Sequence, residues 1–203
     1  SLIGPFPSFA EGLRTLGFNY AYLIEQDFRN KGFCSVKDNP WQAFEKLING
    51  SIKIDNAVYN AELPKYKKTW TSTPDDAKQV LELLSRFEID ADVMRRWYDD
   101  PDGYDKLIAN PYLLSEESTF GKVTPEMVDL GVIADPEIQG YNTPKEPSCI
   151  VTKIDERRIR AYVIHKLVAQ SFEGDTLMSI KELNDFLNES LGKDNLNLPV
   201  HFF

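Results

Sequence analysis

The side chains able to do chemistry in this chain are few and scattered. Its two histidines, His165 and His201, and its two cysteines, Cys34 and Cys149, stand far apart without CxxC or HExxH spacing, so neither a zinc site nor a disulfide framework is indicated. His165 lies in an apolar helical pattern, YVIHKLV, where a lone imidazole reads as a packed or surface residue, and His201 has nothing near it to orient it. Asp99, Asp100, Asp102 and Asp105 crowd into DDPDGYD, yet the run lacks the ligand spacing of an EF-hand; turn formation and helix capping account for it. GxxxxGK[ST], GxGxxG and GxSxG are absent. No nucleotide site or standard nucleophile stands out, and no metal or cofactor is expected on this chain.

What remains is main-chain chemistry. In a helical hairpin the N–H groups opening the second helix point at whatever lies beyond the turn, and a glycine there lets a phosphate approach. Leu16-Gly17-Phe18-Asn19, with Arg14 just before it, has that form, so Arg14, Gly17, Phe18, Asn19 and Lys31 are the candidate DNA-binding residues. A second hairpin, Phe87-Glu88-Ile89-Asp90, has no glycine and two acids, which repel a phosphate at contact distance. The alternative for the first hairpin, and the preferred reading for the second, is that it only packs helices. Trp41, Trp70, Trp97, Tyr104 and Tyr112 fall at helical edges and are expected in the core rather than against bases.

The elements that must carry these residues are helical. Ser8 is placed to cap a helix over FAEGLRTL that Gly17 stops, and Asn19 to cap a second over YAYLIEQDFRN that Gly32 closes. Asn39-Pro40 opens WQAFEKLIN, ended by Gly50. SIKIDNAVY reads as a short strand or extended loop, and ELPKYKKTWTSTP as a polar connector. Thr73-Pro74-Asp75-Asp76 gives a cap, an N1 proline and two acids at the positive helix end before DAKQVLELLSRF. Asp90 caps ADVMRRWY, Asp102 caps GYDKLIAN, and Thr124-Pro125-Glu126 starts a short helix within the loop-rich stretch 113–153. Asp155 then caps ERRIRAYVIHKLVAQSFEG, and Ser179 with Glu182 forms a capping box for IKELNDFLNESL, closed by Gly192. NLNLPVHFF has strand character. Helix, short loop, helix, strand is the order of a winged helix-turn-helix whose wing is cut short.

A shift of 71 residues aligns much of the first half with the second. Glu11 meets Glu82, Leu13 meets Leu84, Leu16 meets Phe87, Asn19 meets Asp90, Leu23 meets Met94 and Gly32 meets Gly103. Phe33 meets Tyr104, Val36 meets Leu107, Asn39-Pro40-Trp41 meets Asn110-Pro111-Tyr112, and Glu45 meets Glu116. Such a register reads as an internal duplication of one helical unit. The expected fold is mainly α: tandem helical hairpins over 1–72 and 73–153, then a winged-helix-like unit with minor β over 154–203.

Composition bounds the rest. The 203 residues are 42% hydrophobic and 27% charged with mean hydropathy -0.38, an ordinary globular balance, and no run approaches the roughly 18 apolar residues of a membrane span. The start, SLIGPFPSFAEGLR, has neither Met nor the pattern of a signal peptide and reads as an excised piece. A cytoplasmic location is the expectation. Net charge is -9, with pI about 4.8, which repels nucleic acid at long range unless cations are segregated. They are, weakly: residues 1–74 hold nine basic and seven acidic residues, +2, leaving -11 for the remainder.

RFEIDADVMRRWYDDPDGYDKLIANPYLLSEES resembles the segment of RecD-like ATP-dependent DNA helicases, of the exonuclease V alpha type, in which a helix-hairpin-helix leads into Asn-Pro-Tyr-x-Leu. VTPEMVDLGVIADPEI and DERRIRAYVIHKLVAQSFEGDTLMSIKELNDFL are similar to that family's Arg-rich helix and the turn before a winged-helix-like unit, with Glu173-Gly174-Asp175-Thr176 for the turn and Asp175 where a His is usual. The resemblance covers about residues 80–191. It implies a non-catalytic accessory region of a DNA helicase or exonuclease in recombination and repair, with DNA, its single-stranded form included, and the motor domain as partners. ATP and Mg would be bound by that motor outside this chain. The missing glycines of the second hairpin and the acidic charge also fit an acidic helical module that binds a protein rather than DNA. A third reading, a hydrolase using Asp99 and Asp102, would require metal-dependent turnover by this chain alone.

Overall fold

Local side-chain hydrogen bonds start six of the twelve α-helices among the described residues. The computed structural model describes residues 5–35, 37–118, 122–133, 144–150, 152, 154–174 and 177–191. The first hairpin is α1 (Phe9–Thr15) and α2 (Ala21–Asn30), with Gly17 and Gly32 at φ +80° and +78° where an L side chain is strained. Asn39 Oδ1 accepts from the Trp41 N–H (3.0 Å) to begin α3 (Pro40–Ile48). There follow α4 (Ala57–Asn60), α5 (Leu63–Ser72), α6 (Asp75–Leu84) and α7 (Ala91–Tyr98), the last opened by Asp90 accepting from Val93 N–H (2.9 Å). A 3-10 turn over Pro101–Gly103 leads into α8 (Tyr104–Ala109), then α9 (Leu113–Glu116) and α10 (Pro125–Val132), capped by Thr124. Finally α11 (Glu156–Glu173) starts at Asp155, ends on Gly174 at φ +87°, and is followed by α12 (Ile180–Leu191) with the reciprocal Ser179–Glu182 box. The fold is mainly helical; β structure among the described residues is one parallel bridge, Ile133 to Ile150.

Five local expectations fail, three of them to tertiary partners. Ser8 precedes α1 but its Oγ donates to Phe87 O (2.6 Å) and accepts from Ile89 N–H (3.1 Å), leaving α1 without a side-chain cap. Asn19 does not cap α2, whose first flanking residue is Tyr20; the Tyr20 N–H instead donates to Tyr66 Oη (3.4 Å). Thr73 closes α5 by donating to Thr69 O (2.9 Å) rather than opening α6. Asp102 sits inside the 3-10 turn and caps nothing. The stretch read as a strand and polar connector holds α4 and α5, because Tyr66 and Trp70, four residues apart, share one buried helical face. Gly192, the strand-like NLNLPVHFF and Asp175-Thr176 of the proposed turn lie outside the described residues.

Trp41 joins the two hairpins. Its ring packs edge-on to Phe9 (5.1 Å between centroids) and stacks on Trp70 (5.3 Å), and its Nε1 donates to Ser85 Oγ (2.8 Å). Asn39 adds a bond from Nδ2 to Glu82 (2.8 Å). Gly12 makes the approach of α1 to α3 possible: a Cβ there would stand 2.7 Å from Trp41 Cζ2. One apolar cluster therefore runs from Phe6 to Ala161 and includes the boundary expected between residues 72 and 73. A smaller one, Ile159, Tyr162, Leu183, Leu187 and Leu191, holds α12 against α11.

The 71-residue register is written in burial at its two ends. Phe9, Ala10, Gly12 and Leu13 are buried, and so are Val80, Leu81, Leu83 and Leu84; likewise Trp41, Ala43 and Phe44 with Tyr112, Leu114 and Ser115. Asn110 Oδ1 accepts from Tyr112 N–H (3.2 Å) as Asn39 does from Trp41. Between them the frame slips. At 71, buried Ile24 meets exposed Arg95, whereas at 70 it meets buried Met94, so Leu23 is not the counterpart of Met94. Gly103, at φ -89°, does not share the left-handed conformation of Gly32.

Candidate functional site

The hairpin residues part company in three dimensions. Phe18 is 2% exposed, with Tyr66 at 4.3 Å and Phe44 at 5.5 Å between ring centroids, and its N–H donates to Leu13 O (3.1 Å). Its side chain is enclosed, so it anchors the hairpin and reaches no surface ligand. Gly17 is exposed, and nothing lies within 4 Å of where its Cβ would be. Asn19 and Lys31 are exposed at the two ends of α2, while Arg14 is exposed on α1. None of the clefts near Arg86 (180 Å³), Ile52 (360 Å³) and Trp97 (310 Å³) is lined by any of the five residues.

Arg14 is held by neighbours. Its Nη1 reaches Glu11 (3.3 Å) and Tyr22 Oη (3.3 Å), and the guanidinium carbon stands 5.5 Å from the Tyr22 ring centroid. Tyr22 Oη in turn donates to Glu11. The hydrogen bond with Tyr22, then the charge of Glu11, holds the Arg14 guanidinium above its usual value. Tyr22 itself is 54% exposed and Tyr20 37%. Neither stood out by motif, although a signal was present: Ala21, Ile24 and Phe28 set the buried stripe of α2, and Tyr22 falls off it.

The five aromatics expected in the core, Trp41, Trp70, Trp97, Tyr104 and Tyr112, are all buried. His165 is half-buried, and His201 lies outside the described residues. Among the described residues no three His, Cys, Asp or Glu side chains are grouped to hold a metal ion, the aspartates of DDPDGYD included. Cys34 and Cys149 are free thiols; burial pushes Cys34 up to about 11, so it stays protonated and unreactive at neutral pH. No described helix is long and apolar enough to cross a membrane.

The most elaborate polar arrangement is buried and was not foreseen. Asp129 on α10 accepts from Arg158 Nε (3.0 Å) and Nη2 (2.6 Å), from Tyr162 Oη (2.8 Å) and from Tyr112 Oη. Burial first, then the Asp129 charge, drives both phenols far above their usual range. Next to it Arg157 donates to Ala109 O (2.7 Å) and Pro147 O (2.6 Å), and Arg160 Nε pairs with the buried Glu116 (3.2 Å). Arg157, Arg158 and Arg160 of α11 thus tie α8, α9, α10 and the 144–150 segment together. With the charges neutralised and the phenols protonated, this is a structural clamp rather than acid-base machinery.

No protein-family model matches the chain, and no curated protein or solved structure matches it significantly.

Proposed function

We propose that this chain is a non-catalytic accessory region of a RecD-like DNA helicase or exonuclease, contacting DNA from its first hairpin and docking beside the motor that would bind ATP and Mg. The observation that carries the reading is the hairpin tip: a left-handed, exposed Gly17 with open space around it, close in sequence to an exposed Arg14, in the one third of the chain with net positive charge. A phosphate can come near the main chain there. The segments that bear the family resemblance also converge, Tyr112 of Asn-Pro-Tyr, Asp129 of VTPEMVDLG and Arg158 of DERRIR forming one buried network. In this reading α1–α2 and α6–α7 are the tandem helix-hairpin-helix elements, and α10–α12 belong to a winged-helix-like unit.

Fluorescence anisotropy with labelled single-stranded and duplex DNA tests it. Two phosphate contacts, through Arg14 and Lys31, predict that single-strand affinity drops about sevenfold between 50 and 200 mM salt, and that Arg14→Glu weakens it further. Absence of binding at 50 mM salt to either DNA form refutes the reading.

A second reading, an acidic module that binds protein, is favoured by the far end of the molecule. Phe172 is 72% and Leu177 87% exposed, beside exposed Leu167, Val168 and Ile180. In that reading neither DNA form binds at 50 mM salt, and Phe172→Glu abolishes association with a motor-domain fragment in sedimentation; association unchanged by Phe172→Glu counts against it.

A further inference from the structure

We infer that the first hairpin takes single-stranded DNA by stacking an unpaired base on Tyr22 beside the Arg14 guanidinium, an inference that rests on the DNA-contact reading above. The rings around this hairpin are otherwise put away: Phe9, Phe18, Phe28, Trp41, Phe44, Tyr66 and Trp70 are all buried. Tyr20 and Tyr22 are left outside, and with Phe172 they are the exposed large aromatics of the described residues.

Tyr22 is oriented rather than loose. Its hydroxyl donates to Glu11 and accepts from Arg14, and the guanidinium lies over the ring, so the two planar groups are presented together. Phe18 in the core and the Tyr20 N–H bond to Tyr66 Oη hold the backbone from which the ring projects. A fixed ring loses little freedom when a base arrives, and both a phenol ring and an arginine plane are surfaces on which bases stack.

Charge selects the strand. Residues 9–32 carry Arg14, Arg29 and Lys31 against Glu11, Glu25 and Asp27, so the hairpin is neutral and offers a duplex backbone little net attraction. Glu25 pairs with Arg29 (2.7 Å), which removes one more cation from phosphate contact. Affinity beyond the phosphate contacts of Arg14 and Lys31 must then come from base faces, and a duplex keeps those faces stacked on one another. An unpaired strand exposes them.

The test is anisotropy at 50 mM salt with a labelled dT oligomer of about twelve nucleotides, an abasic oligomer of the same length, and a duplex. The full chain is used, as wild type, Tyr22→Ala, Tyr22→Phe and Arg14→Glu, with circular dichroism checking that each is folded. Stacking predicts that dT binds about tenfold more tightly than the abasic strand, that Tyr22→Ala removes this preference, and that Tyr22→Phe keeps it. Equal binding of dT and abasic strands, insensitive to Tyr22→Ala but lost in Arg14→Glu, overturns stacking and leaves phosphate contact standing. Failure of every oligomer to bind overturns stacking together with the DNA reading beneath it.

Discussion

Replacing Asp129 by Ala removes the acceptor on which α9, α10 and α11 converge. Arg158 and Asp129 side chains are 7% and 12% exposed, so water does little to replace the lost carboxylate. Breaking a buried ion pair from one side costs about 3–5 kcal/mol, and two phenols losing their acceptor bring the total toward the upper end of that range. A domain of this kind has about 5–15 kcal/mol to lose. With a urea slope of about 2–3 kcal/mol/M, the midpoint should fall by about 1.5–2 M, read from the fluorescence of the buried tryptophans. Arg158→Met should cost clearly less, because Tyr112 and Tyr162 still donate to the carboxylate. Asp75→Ala, at an exposed pair with Lys78, should cost no more than about 0.5 kcal/mol. A loss below about 1 kcal/mol in Asp129→Ala, or Arg158→Met proving the worse of the two, would refute the view that this carboxylate is the centre of the clamp.

Alkaline pH should attack the same region. Burial pushes Tyr104 up to about 12 and Tyr112 and Tyr162 higher still, so these phenols are neutral in the fold while the unfolded chain ionises near 10. Stability is therefore intact below about pH 10 and drains as pH rises above it; phenolate absorbance from Tyr112 and Tyr162 should appear only as helical dichroism disappears, and full titration near pH 10 with the helix signal unchanged contradicts this. Gly12→Ala, which in a helix exposed to water would stabilise by about 1 kcal/mol, should instead destabilise by about 1 kcal/mol because its methyl meets Trp41. A raised melting temperature for Gly12→Ala would show that the α1–α3 contact yields.

Five caps whose donor and acceptor stand within three residues were readable in the amino-acid order: Asn39, Asp90, Thr124, Asp155 and the Ser179–Glu182 box need nothing from the rest of the chain, whereas the equally local Asn56 cap of α4 was missed inside a stretch with strand-like alternation. The same holds for the left-handed glycines at 17, 32, 50 and 174 and for the burial of the large helical-edge aromatics. Where a side chain had a distant alternative, local pattern misled. Ser8 turns to partners 79 and 81 residues away. Spacing along α5 shows a polar surface with two aromatics, and only the packing of Tyr66 and Trp70 against α1–α3 rings makes it a helix with an inside. For the candidate site, order alone brought Arg14 and Gly17 together, but whether Phe18 or Tyr22 faces water depends on which rings α3 and α5 supply beneath the hairpin. The Asp129 clamp joins residues 17, 29 and 33 positions apart, beyond the reach of any helical period. Short-range hydrogen bonds are encoded by neighbours; burial is a property of the assembled surface, and it decides which polar groups must find partners and which aromatic rings stay free.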